Sequence, residues 1–159
     1  QQTALNFCGQ NYGAGDIKRV KKITRVCLLT VAAVGLIIGN LFYIFGRNLL
    51  GIYITDSPEA IAYGMERLKF MLIPYFLCGI MDTITGSMRG IGSSVIPMII
   101  TIIGVCVMRV VWIYTVFSMP QYHSFSGLFI SYPISWALTF SAVLLSYFII
   151  IKKKSADLK

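Results

Sequence analysis

Charged residues in this chain fall in clusters, and the stretches between the clusters are long and apolar. No Lys, Arg, Asp or Glu occurs from Val26 to Gly46. Only Asp82 interrupts Phe70 to Met88, and none occurs from Gly90 to Met108. After Arg109 the next charged residue is Lys152. A helix crossing a hydrocarbon layer of about 30 Å needs roughly 20 apolar residues, and these runs have that length. Within the last stretch, MPQYHSFSG at 119–127 brings a Pro and small polar residues, which divide two crossings. The pattern predicts a helical stub at 1–12 and four spans at about 24–45, 63–88, 95–117 and 127–151. The expected fold class is all-α and polytopic.

Turn chemistry fits these boundaries. Gly13, Ala14 and Gly15 follow the stub, with glycines where helices stop. Asp56-Ser57-Pro58-Glu59 reads as a helix start, with Ser57 as cap, Pro58 in the first turn and Glu59 near the positive dipole end. Gly90-Ile91-Gly92-Ser93-Ser94 separates the second and third spans, and Ser94 is placed to cap the third. Pro74 and Pro133 remove backbone donors inside spans and favour kinks. Gly35 and Gly39 form a small-xxx-small pair, expected to pack against a neighbouring helix.

The basic residues set an expected orientation. Lys18, Arg19, Lys21, Lys22, Arg25, Arg89, Lys152, Lys153, Lys154 and Lys159 all fall on one side if the spans alternate. The other side has only Arg47, Arg67 and Lys69, diluted by Asp56, Glu59 and Glu66. Short basic loops stay inside, so the end of the stub and the C-terminus are expected to face the cytoplasm, and a plasma (inner) membrane is the expected location. Tyr43, Tyr53, Trp112, Tyr114 and Tyr122 then form an aromatic belt at the outer surface.

Composition agrees. The chain is 57% hydrophobic and 13% charged, too few charges to cover a soluble globule. Its formal charge of +8 is accounted for by topology and by contact with anionic membrane lipids, and no nucleic-acid module is visible. Cys8, Cys27, Cys78 and Cys106 are widely spaced and read as small packing residues. His123 stands alone in an outer loop, so no metal site is expected. No GxSxG, P-loop, HExxH or working pair of carboxylates supports enzyme chemistry, and no catalytic residue is assigned.

Two stretches carry more information: GQNYGAGDIKRVKK at 9–22 and CGIMDTITGSMRGIGSSVIPM at 78–98. Together, at this spacing, they resemble the C-terminal half of a multidrug and toxic compound extrusion (MATE) transporter. Gln10, Asn11, Gly13, Ala14 and Gly15 match the end of that family's eighth helix. Gly86, Arg89, Gly90, Gly92 and Pro97 match the end of its tenth helix and the start of its eleventh. VCVMRVVWIY at 105–114 and SYPISWAL at 131–138 resemble its eleventh and twelfth helices. The resemblance implies an antiporter that expels small organic, often cationic, compounds against a sodium or proton gradient, with no other cofactor. It also implies a partner lobe of six helices that precedes this stretch in the same polypeptide.

Two charges lie inside the spans. Asp82 sits about 10 Å of helix inside Arg89, and a lone intramembrane carboxylate usually faces protein or water and carries a proton, ion or substrate. It is the candidate cation- or proton-coupling residue, although the resemblance places the family's tenth-helix acid one turn deeper, at Cys78. Arg109 needs a partner or a wet cavity, and Asp82 or a helix end is the expected neutraliser. Arg89 is expected to meet helix-terminal carbonyls or lipid phosphate. Two other readings stay open. One is a flippase for lipid-linked polysaccharide within the same superfamily, and the other is a small structural four-helix membrane protein.

Overall fold

The computed structural model describes residues 1–55, 57–122 and 124–157, so Asp56, His123 and Lys159 lie outside the described residues. All regular structure among these is helical. Helix α1 covers Gln2–Gly13 and α2 covers Ile17–Ile44. A short α3 at Gly46–Tyr53 leads to α4 at Pro58–Leu72 and α5 at Tyr75–Gly90. The third span is α6 at Val95–Thr101, a π-helical segment at Ile102–Val107 and α7 at Met108–Tyr114. The short α8 at Phe125–Phe129 precedes α9 at Ser131–Asp157. Ile17–Ile44, Pro58–Gly90, Val95–Tyr114 and Gly127–Asp157 are long and apolar enough to cross a membrane, and the chain is a multi-pass membrane protein.

The spans alternate in direction. Ile17, Ile91, Ile150 and Ile151 share one buried cluster, and the Lys154 ammonium lies 5.3 Å from the centre of the Tyr12 ring. The end of α1 and the start of α2 therefore sit beside the corner between α5 and α6 and the end of α9. This is the basic end of the bundle. At the opposite end the Trp112 Nε1 donates to the Gly127 carbonyl at 3.0 Å, and the Arg67 guanidinium lies 5.7 Å from the Phe129 ring centre.

The core lies near the basic end, where α1, α2, α5 and α9 meet around Cys8, Val20, Ile84, Met88, Val143 and Tyr147. A polar node sits inside it. The Thr24 hydroxyl is within 3.1 Å of the Ser87 hydroxyl, which donates to the Thr83 carbonyl, also at 3.1 Å. The Cys8 thiol lies 3.5 Å from the same Thr24 oxygen. One interaction set thus joins α1, α2 and α5 with the polar groups satisfied, as burial in a membrane demands.

Both glycine-rich corners use the same closure. Gly15 has φ +78° and Gly92 has φ +81°, a region that only glycine adopts without strain. The Gly15 amide bonds the Tyr12 carbonyl and the Asp16 amide bonds the Asn11 carbonyl, each at 2.9 Å. The Gly92 amide bonds the Arg89 carbonyl at 3.0 Å and the Ser93 amide bonds the Met88 carbonyl at 2.9 Å. These paired bonds are Schellman closures. Asp16 then caps the next helix, accepting from the Arg19 amide at 2.9 Å. The basic run from Lys18 to Arg25 thereby forms the first turns of α2 instead of a loop before it.

The caps and prolines divide. Ser57 accepts from the Ala60 amide at 3.3 Å, with Pro58 opening the helix and Glu59 in its first turn. Ser94 holds the cap position of α6 without a side-chain bond to the helix. The second span breaks at Ile73–Pro74, as a missing donor there favours. Pro133 makes no such kink; it lies in the first turn of α9, where the lost donor is unneeded, and the break falls before it at Ile130. Opposite the Pro74 break, a Cβ on Gly35 would lie 3.1 Å from the Phe76 Cα, and one on Gly39 would lie 2.7 Å from the Leu72 carbonyl oxygen. The glycine pair thus lets α2 pack directly on the bent helix, inside this chain.

Candidate functional site around Asp82 and Arg109

Asp82 is exposed on α5, whereas Met81 and every residue from Thr83 to Met88 are buried. Its carboxylate makes no hydrogen bond or ion pair among the described residues. It opens onto a cleft of about 160 Å³. The cleft's polar lining is Gln1, Thr85, Arg89 and Thr101, and its apolar lining includes Met98 and Ile102. Asp82, Thr85 and Arg89 share one face because their spacings are three and seven residues. Thr101 comes from α6, where its hydroxyl donates to the Pro97 carbonyl at 2.7 Å and keeps lone pairs for accepting. Carboxylate and hydroxyl oxygens are hard donors, suited to a proton or a small cation. No group of three or more His, Cys, Asp or Glu capable of holding a metal ion occurs among the described residues.

Other outward surfaces of the spans differ sharply. Val26, Leu29, Ile37, Leu145 and Ile149 are all more than half exposed, which suits hydrocarbon. The Asp82 face combines an unpartnered carboxylate with hydroxyls and a guanidinium, groups that lipid tails cannot satisfy.

Arg109 does not reach Asp82. It is half-buried on α7, and its Nε donates to the Ser135 hydroxyl at 3.3 Å. The guanidinium carbon lies 4.0 Å from the Tyr132 ring centre and 5.8 Å from that of Trp136. The expected neutralising carboxylate is replaced by two aromatic faces, whose negative quadrupoles attract the cation. The rings brace one another: Trp136 meets Tyr132 edge-on at 6.1 Å and Tyr75 of α5 edge-on at 6.3 Å. Ser135 in turn donates to the Tyr132 carbonyl at 2.9 Å. Arg109 thus ties the third span to the fourth, and Tyr75 extends the cluster to the second. The partners are legible in retrospect, since Tyr132, Ser135 and Trp136 recur at three- and four-residue spacing on one face of α9.

The motif glycines sit at close crossings. A Cβ on Gly86 would lie 2.6 Å from the Gln1 carbonyl oxygen. One on Gly90 would lie 2.5 Å from the Leu5 carbonyl oxygen and 3.0 Å from the Gly9 nitrogen. Helix α1 therefore lies directly along the backbone of α5. Gln10, Asn11, Gly13 and Ala14 belong to the closing turn of α1, where the Asn11 side-chain Nδ2 donates to the Phe7 carbonyl at 2.8 Å and the Gln10 carbonyl accepts from the Ala14 backbone amide at 3.1 Å. Pro97 is buried in α6. Arg89 is exposed at the mouth of the Asp82 cleft, and Cys78 is half-buried one turn deeper.

One close approach had no counterpart in the motifs. Gly104 lies in the π-helical segment, and a Cβ there would overlap the Thr139 hydroxyl. Thr139 is 1% exposed and donates to the Ser135 carbonyl at 2.6 Å, so it is fixed in place. An isolated glycine in a span was the available signal.

Known proteins are similar to this chain in sequence. The chain is 25% identical over 150 residues to the probable multidrug resistance protein YoeA of Bacillus subtilis (strain 168), an alignment covering 93% of this chain and 32% of that protein. It is 32% identical over 108 residues to the probable multidrug resistance protein YpnP of the same organism, covering 67% of this chain and 24% of that protein. The chain thus spans a third or less of the length of these curated relatives. No solved structure matches it. The MatE family model matches residues 3–115, across both glycine corners and the Asp82 face, and this chain belongs to the MatE family.

Proposed function

We propose that this chain forms part of the C-terminal lobe of a plasma-membrane exporter. In this reading, organic and mainly cationic compounds leave in exchange for entering sodium ions or protons. The basic end of the bundle, with the C-terminus, faces the cytoplasm, as the concentration of Lys and Arg there favours. The family and the multidrug-resistance names of its relatives support export.

The observation that carries the coupling role is the unpartnered Asp82 carboxylate. It lies on a membrane-spanning helix and faces a cleft in which Gln1, Thr85, Arg89 and Thr101 stand beside Met81, Met98 and Ile102. A carboxylate at that depth is costly unless water, an ion or a second protein surface meets it. Ionised, it attracts a cation; once it has taken up a proton or a sodium ion it no longer does. That alternation is what an exchanger needs. Arg109 has a structural role here, holding the last two spans together through Tyr132 and Trp136.

The test uses the full-length protein in proteoliposomes, with sodium and proton gradients collapsed separately. Asp82→Asn is expected to remove gradient-driven efflux while expression and thermal stability stay at wild-type levels, and Asp82→Glu is expected to retain part of it. Export by Asp82→Asn at the wild-type rate, under either gradient, would refute the assignment.

A further inference from the structure

A larger concavity lies elsewhere, between α2 and α9 at the basic end. It has a volume of about 720 Å³. Its lining includes Lys21, Arg25 and Leu28 of α2 and Leu144, Phe148 and Lys152 of α9. Each set follows helical spacing, so each helix presents one stripe. The helices run in opposite directions, and the stripes change character together. Lys21, Arg25 and Lys152 stand at the basic end, whereas Leu28, Leu144 and Phe148 lie further in. The distance from Lys21 to Leu28 is about 10 Å at 1.5 Å per residue, so cationic rim and apolar floor are separated along the membrane normal.

We propose that this groove is a binding site for one anionic phospholipid. The headgroup phosphate lies among Lys21, Arg25 and Lys152, and an acyl chain lies along Leu28, Leu144 and Phe148. Charge complementarity selects this occupant. Three cations line the mouth, and no carboxylate lines it among the described residues. Each basic group near a membrane surface attracts anionic headgroups, and Lys and Arg stems reach outward from apolar surroundings to do so. A transmembrane segment of the polypeptide would fill the floor but leave the three cations unanswered. A zwitterionic lipid would set its own choline or ethanolamine cation against them. The flanking surface continues the lipid-facing character, with Leu29 66% and Ile149 69% exposed. The inference rests on the spans crossing a bilayer and is independent of what the protein transports.

The test is native mass spectrometry of the full-length protein released from nanodiscs of equal phosphatidylglycerol and phosphatidylcholine. The wild type is expected to retain phosphatidylglycerol about tenfold over phosphatidylcholine, equivalent to about 1.4 kcal/mol. The triple variant Lys21→Gln, Arg25→Gln, Lys152→Gln is expected to bring the ratio to near one. A control triple, Lys18→Gln, Lys22→Gln, Lys153→Gln, removes the same charge from neighbouring exposed positions outside the groove and is expected to keep the preference. Equal loss in both triples would reduce the effect to a diffuse surface field, and absence of preference in the wild type would overturn the site outright. A benzophenone side chain at Phe148 supplies a second readout. Photocrosslinking to phosphatidylglycerol supports the site, and crosslinking to another segment of the polypeptide overturns it. If efflux fails to depend on Asp82 yet the lipid preference persists, only the transport reading falls.

Discussion

Replacing Gly90 with alanine tests the packing that holds α1 to α5. The added methyl would sit 2.5 Å from the Leu5 carbonyl oxygen, 3.0 Å from the Gly9 nitrogen and 3.1 Å from the Cys8 Cβ. Two of these neighbours are backbone atoms, which cannot rotate aside as a flexible side chain can. Ordinary contact begins near 3.4 Å, so the two helices must separate by roughly 1 Å along this line. Overpacking of this kind costs about 1–3 kcal/mol. Since every 1.4 kcal/mol is a factor of ten, transient opening of α1 from α5 should rise by about 5- to 150-fold. Cys8 reports that opening directly, because it is fully buried beneath the crossing. In the full-length protein with Cys27, Cys78 and Cys106 changed to alanine, the rate of maleimide labelling at Cys8 is expected to rise at least fivefold in Gly90→Ala. Gly92→Ala is the control: it meets nothing within 4 Å but strains a φ of +81°. It is expected to lower stability by about 1–2 kcal/mol while changing Cys8 labelling less than Gly90→Ala does. Unchanged Cys8 labelling in Gly90→Ala, or a larger change in Gly92→Ala, would refute the close-crossing account.

The other predictions concern the outer half of the bundle. Gly104→Ala should destabilise the protein by about 1–3 kcal/mol through collision with Thr139, and adding Thr139→Ala should recover part of the loss, so thermal unfolding of the double variant would show clear non-additivity. Arg109→Ala removes both ring contacts and the Ser135 bond. It should lower stability by about 1–3 kcal/mol and reduce export, with Arg109→Lys between it and the wild type; unchanged expression, stability and export in Arg109→Ala would sink the bracing role.

Which features could be read from sequence follows from where their causes lie. The spans were legible because hydrocarbon requires long uncharged helices, and charge spacing alone marks them. Gly15 and Gly92 were legible as corners because a positive φ needs glycine, and the cap at Ser57 followed from local hydrogen bonding. The first span reads as beginning near residue 24, whereas α2 begins at Ile17, because hydropathy excludes Lys18 to Lys22 although a helix with Asp16 as cap accommodates them readily. The helix α3 at Gly46–Tyr53 was missed, being too short and mixed in character to stand out. At the site, Asp82 was conspicuous as a rare residue, but its companions Thr85 and Thr101 are common in spans and gave no warning. Charge alone points Arg109 toward Asp82 or a helix end, whereas its guanidinium meets the Tyr132 and Trp136 ring faces on α9. Pro133 shows the same limit: its effect depends on whether the helix begins before or after it.

The π-helical turn at Ile102–Val107 has one consequence of its own. Such a turn accommodates one more residue than an α-helical path of the same length, so the faces on either side keep their alignment despite the surplus. The segment is therefore the place where the third span should tolerate shortening: with one residue excised there, ordinary winding would still deliver Pro97 and the Arg109 guanidinium to their present neighbours. The same excision within Met108–Tyr114 would swing everything beyond it by about 100° and turn the Trp112 indole away from Gly127.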